Sequence, residues 1–141
     1  MIYIILFLLI IHVALIYITY KNLHTGTTKE KVIFILVGIG LIYFITSMVY
    51  ALSNMGVEFP NDEVSSMAKQ LITFTFVPVN ALVCMPMIAS SYSKVKNKQI
   101  TKEKAKKKIV IAIVLLVIFI IFEYFYMKDI QTGILNMIRK N

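Results

Sequence analysis

Four long apolar runs, at about 2–20, 32–52, 70–89 and 109–126, alternate with stretches rich in polar and charged residues. Each run is close to the ~20 residues with which an α-helix crosses ~30 Å of hydrocarbon. The pattern predicts an all-α integral membrane protein, a four-helix transmembrane bundle in a single domain over 1–141. The first run is apolar all round except at His12. Such a helix faces lipid or a core on every side. The third run differs, because Pro78 and Pro86 lie inside it and predict a helix bent at those positions. The tail, 128–141, carries Ile130, Ile134 and Ile138 four residues apart. That stripe predicts a short interfacial C-terminal helix.

Polar punctuation refines the ends. Thr28 with Glu30 reads as the cap and acidic first turn of the second helix. Asn61 followed by Asp62 and Glu63 places the start of the third helix well before its apolar run. Thr101-Lys102-Glu103-Lys104 reads as the cap of the fourth and echoes Thr28-Lys29-Glu30-Lys31. This is taken as a recurring lysine- and threonine-rich cap rather than an internal repeat. Gly38 and Gly40, with Ser47 and Ala51 four apart, are the candidate close-approach positions of the second helix.

Composition agrees. The chain is 59% hydrophobic and 16% charged, with mean hydropathy +0.80. A soluble domain has about a quarter of its residues charged. The stretches between the runs are too short for a soluble domain. Any site must therefore lie in the bundle, at the membrane surface or across an oligomer interface. The first run has no basic residue before it and no small-residue cleavage site, so it is expected to be a retained helix.

The net charge of +8 changes the picture through its placement. Lys94, Lys96, Lys98, Lys102, Lys104, Lys106, Lys107 and Lys108 crowd the third connection, whereas the second carries Glu58, Asp62 and Glu63. Cytoplasmic loops retain Lys and Arg. Connections one and three are therefore expected in the cytoplasm, with both termini outside a cell membrane. The lysine run is a candidate contact for anionic lipid or an acidic partner. Charge placed in this way points to membrane lipids as partners and away from nucleic acid. Arg139 is the only arginine, and with abundant Ile and Asn this suggests an AT-rich bacterial genome.

Candidate chemistry is sparse. Ionisable residues inside a span are functional candidates by default. At ~1.5 Å per residue, His12 and Asn80 come out about 15–18 Å below the outer surface and Glu123 only about 5–8 Å. His12 and Asn80, with backbone freed by Pro78, are therefore the candidate midplane site for a proton, ion or small substrate. Glu123 is expected near the headgroups, away from His12. Cys84 is the single cysteine, which excludes an internal disulfide. Cys84, Met85 and Met87 are soft donors that suit Cu(I). They lack convergent partners, so no metal and no cofactor is expected. No HExxH, phosphate loop or nucleophile triad is present, and no enzyme activity is expected.

In size and helix count the chain resembles small multidrug transporters, small membrane glutathione and eicosanoid enzymes, and bacteriocin-immunity proteins. The first group depends on an acidic residue in its first helix, where this chain has His12, and the enzymes' Arg/Asn/Glu motifs are not found. The sequence thus leaves two functional expectations. The leading one is a non-enzymatic accessory, immunity or assembly factor acting through a membrane-protein partner or as a homo-oligomer. The alternative is a small oligomeric transporter or channel with its site at His12 and Asn80.

Overall fold

The computed structural model describes the backbone over 2–140, and the side chains over that range except at 2, 4, 134 and 138–140. Four helices fill it: α1 (Ile2–Asn22), α2 (Thr28–Ser53), α3 (Asp62–Lys96) and α4 (Lys102–Lys140). All four are long and apolar enough to cross a membrane. Each outruns its apolar run, because helical hydrogen bonding continues through the polar ends. At 35 residues α3 is about 52 Å long, well beyond the hydrocarbon thickness.

Caps set the starts. Thr27, not Thr28, caps α2: its Oγ1 accepts from Glu30 N at 3.3 Å, and Glu30 Oε2 accepts from Thr27 N at 3.0 Å. This reciprocal box needs a carboxylate three residues after the cap, which fixes Thr27. Asn61 caps α3, accepting from Val64 N at 2.8 Å. Thr101 Oγ1 accepts from Lys104 N at 3.3 Å at the start of α4. The two lysine-rich caps are thus one residue out of register with their sequence echo. The tail forms no separate helix, since α4 continues unbroken past Tyr126. Of its isoleucine stripe, Ile130 packs against the core, while the side chains of Ile134 and Ile138 lie outside the described residues.

The buried positions follow a three-four spacing. On α2 they include Ile35, Ile42, Thr46, Val49 and Ser53. On α4 they include Ala105, Ala112, Glu123 and Met127. This seam is the pattern of near-parallel bundle packing. α3 is the central element and packs on α1, α2 and α4; α2 also packs on α4, and among the described residues α1 does not reach α4. The close contacts come from Ala81 and Ala89 on α3 and Ala112 on α4, all fully buried. Small residues let helix backbones approach in lipid, where dispersion replaces the hydrophobic effect. Ser47 is half-buried and Ala51 exposed, so that pair is not the contact. Large side chains such as Phe7, Leu36, Phe44 and Phe122 point outward, as a lipid-facing surface requires.

Gly38 and Gly40 separate clearly. A Cβ at Gly38 would stand 2.6 Å from Met85 Cε, whereas one at Gly40 meets nothing. Gly40→Ala is expected to stabilise the bundle by up to ~1 kcal/mol through helix propensity. Gly38→Leu is expected to destabilise it by roughly 1–3 kcal/mol through overpacking on Met85. Reversible unfolding in mixed micelles reads both.

Candidate functional site

The bundle has two ends of different character. The connections 23–27 and 97–101 lie at the lysine end, and the connection 54–61, with Glu58, lies at the acidic end. Between them the buried seam changes composition. On the lysine side of its centre it is apolar, where Leu15, Ile42, Ala81, Met85 and Ala112 cluster with Cys84 and Val77; buried Thr19, Ser91 and Ser93 follow near the lysine end. Toward the acidic end, polar side chains enter the seam on three helices.

Asn80 is the joint. It is 1% exposed in the middle of α3, and its Nδ2 donates to Glu123 Oε2 of α4 at 2.8 Å and to Thr46 Oγ1 of α2 at 3.2 Å. One amide NH₂ has two hydrogens, so both donors are spent and three helices are tied at one level. Glu123 is 5% exposed and Thr46 fully buried. Two acceptor atoms of this cluster, Asn80 Oδ1 and Glu123 Oε1, have no hydrogen-bond partner among the described residues. The cluster is rich in acceptors and short of a donor. A proton on the carboxyl supplies one O–H donor, and a small cation would meet the same oxygens.

The candidate residues read from the sequence fall out differently. Asn80 keeps its place, but its partner is Glu123 rather than His12. His12 Nδ1 lies 2.7 Å from Leu8 O, and its ring packs on Phe74 with centroids 4.7 Å apart. It is half-buried at the α1–α3 contact. Glu123, expected near the headgroups, is bonded to Asn80 near the middle of α4, which continues for 17 residues beyond it, to Lys140. Measured from the end of an apolar run the carboxyl looks peripheral; measured along the helix it is central. One signal was present in the sequence: Thr46 and Ser53 are seven apart on α2, as are Thr73 and Asn80 on α3. Seven residues return a helix to the same face.

Cys84 is buried, and its Sγ donates to Asn80 O at 3.4 Å. Pro78 is fully buried and Pro86 half-buried, both within unbroken α3. Pro78 removes a backbone donor two residues from Asn80, and Pro86 removes one six residues away on the lysine side. No group of three or more metal-ligating side chains occurs among the described residues. The eight lysines from Lys94 to Lys108 lie at the end of α3, in the 97–101 connection and in the first turns of α4. Of these, Lys96 pairs with Glu30 at 3.6 Å, an exposed contact of little energetic weight. Lys106 and Lys107, with Glu103, Val110 and Ile111, line a shallow surface groove.

Comparison with known proteins gives no family. No protein-family model matches the chain, and neither the curated proteins nor the solved structures yield a match. The site therefore stands on its own geometry.

Proposed function

We propose that this chain is a small multi-pass membrane protein whose working group is the Glu123 carboxyl, which takes up and releases a proton inside the bundle. The carrying observation is the Thr46–Asn80–Glu123 cluster, buried between three helices and left with two unpartnered acceptors. An ionisable side chain inside a membrane bundle is costly, which makes it a functional candidate. The reading belongs to the transporter or channel class, non-enzymatic, with Glu123 in the role first expected of His12. It pairs Glu123 with neutral Asn80, which also holds Thr46, so the carboxyl has no fixed counter-charge in the cluster.

The orientation proposed with it keeps the lysine end in the cytoplasm and the acidic end and both termini outside, following the lysine asymmetry. The lysine groove is proposed to seat anionic lipid headgroups, with Val110 and Ile111 against acyl chain.

The test is a proton-flux assay in liposomes with Glu123→Gln and His12→Ala. Flux lost in Glu123→Gln and kept in His12→Ala supports the reading. Flux that survives Glu123→Gln overturns it. A second reading, an accessory, immunity or assembly factor, draws on the projecting aromatic group Phe122, Phe125 and Tyr126, a surface suited to a neighbouring membrane protein. Native mass spectrometry of gently extracted particles separates the two: a stable hetero-complex favours the accessory reading.

A further inference from the structure

The polar residues of the seam form two levels. The first is Thr46, Asn80 and Glu123. On α2 the next polar seam residue toward the acidic end is Ser53, seven residues on; on α3 it is Thr73, seven back; on α4 it is Gln131, eight on. Steps of this size place the second level about 10–12 Å from the first. Gln131 Nε2 donates to Ser53 Oγ at 3.4 Å, which closes that level between α4 and α2. Gln131, Ser53 and Thr73 are each 1% exposed or less. Ser53 is the last residue of α2, while α3 continues outward for 11 residues from Thr73 to Asp62 and α4 for nine from Gln131 to Lys140, so the second level lies where α2 ends and the seam is no longer covered by it. Between the levels lies Tyr50, buried beside Ile72 and Met127.

The second level is also short of partners. Thr73 Oγ1, Gln131 Oε1 and the Tyr50 hydroxyl make no hydrogen bond among the described residues. Buried polar atoms without protein partners mark places where water or a proton carrier is favoured over hydrocarbon. From Glu123 to the acidic end, the seam therefore offers a polar atom at each level. Toward the lysine end the polar gap is longer. Leu15, Ile42, Ala81, Met85 and Ala112 fill the seam, and the next buried hydroxyls lie beyond them, Thr19 one turn past Leu15 on α1 and Ser91 on α3 11 residues from Asn80, against seven for Thr73. The one polar atom in the first cluster, Cys84 Sγ, is engaged by Asn80 O.

We infer that Glu123 exchanges its proton with the aqueous phase at the acidic end, through the Tyr50, Thr73 and Gln131–Ser53 level. In this conformation the apolar cluster around Ile42 and Ala112 shuts it off from the lysine end. The inference rests on the proton-binding reading above and adds its sidedness. The proton passes between the carboxyl and water as hydronium, so no other reactant is needed. Few other titratable groups face the carboxyl. α3 has no charged residue between Lys69 and Lys94, α2 none between Lys31 and Glu58, and α1 none before Lys21. Apart from Glu123, α4 has none between Lys108 and Lys128. His12 of α1 is turned to Leu8 O and Phe74, Cys84 of α3 to Asn80 O, and Tyr50 of α2 lies on the route itself. Tyr124 of α4, half-buried, packs in the apolar layer between the two polar levels.

The test uses the full chain in sealed vesicles, with orientation fixed by trypsin cleavage at the lysine-rich 97–101 connection. The lumen is buffered at one pH while the outer pH is stepped, and the Glu123 carboxyl C=O band is read as the infrared difference between natural chain and Glu123→Gln. The expected result is a band that follows the pH on the acidic side only. Gln131→Leu and Thr73→Val are each expected to slow that response by roughly tenfold, the effect of a barrier raised by about 1.4 kcal/mol. A band that follows the lysine side, or both sides, overturns the sidedness and leaves proton binding standing. Absence of any titrating band overturns the proton-binding reading itself. If either single variant fails to fold, the other carries the route test, and the natural chain alone decides the side.

Discussion

Glu123→Gln is expected to be more stable than the natural chain, by roughly 1–2 kcal/mol, while losing proton uptake. Two magnitudes decide the sign. An ionisable residue at the centre of a membrane helix costs about 2.5–3.5 kcal/mol on insertion scales. An interhelical hydrogen bond in a membrane returns only about 0.6 kcal/mol on average and about 1.7 at most. Gln keeps the acceptor that Asn80 Nδ2 reaches at 2.8 Å in the natural chain and adds an NH₂ beside the unpartnered Asn80 Oδ1. It therefore retains the bond and removes the ionisable group. The opposite change, Asn80→Leu, strands the carboxyl without its donor and is expected to destabilise by roughly 2–4 kcal/mol. Reversible unfolding in mixed micelles, with proton uptake measured on the same preparations, reads both variants. A Glu123→Gln chain clearly less stable than the natural one would mean that the carboxyl is retained for packing.

Ala112→Phe is expected to be the most damaging single change in the bundle, costing at least about 3 kcal/mol. Ala112 is fully buried in the cluster that holds Leu15, Ile42, Val77 and Ala81. A benzyl group there has no space unless α4 moves away from α3. That movement loosens the most extensive contact of the fold and, with it, the Asn80–Glu123 bond. The neighbouring Ile113→Phe is the control: Ile113 is 48% exposed and points out of the bundle, so its replacement is expected to stay within about 0.5 kcal/mol of neutral. Equal losses at both positions would show that the close α3–α4 approach is not what limits stability.

Much of the fold was legible along the chain because hydrocarbon is an unforgiving solvent. Backbone amides in lipid must bond internally, so a run of ~20 apolar residues admits one conformation. The four helices and Asn61 as a cap follow from that rule and from local chemistry. Where local chemistry offered two threonines in a row, the cap moved to Thr27, because the carboxylate of Glu30 reaches back over a fixed span. The tail departs from its sequence pattern for a related reason. Its isoleucine stripe suits an interfacial helix, but Met127 and Gln131 are fully buried against neighbouring helices, and their packing holds α4 continuous.

The site was legible only in part. The sequence by itself determined that Asn80, Glu123 and His12 lie within apolar runs, since an isolated polar residue in such a run is visible without a structure. Which of them meet was decided by tertiary structure. Hydropathy measures depth from the end of an apolar run, and α3 and α4 both extend beyond theirs. Depth counted that way moved Glu123 outward and paired Asn80 with His12. Antiparallel packing of α3 on α4 sets the true register, and seam spacing turns Glu123 inward while His12 rests against Phe74. Register between helices depends on side-chain volumes at facing positions, here Ala81, Ala89 and Ala112, and no property of one helix alone contains it.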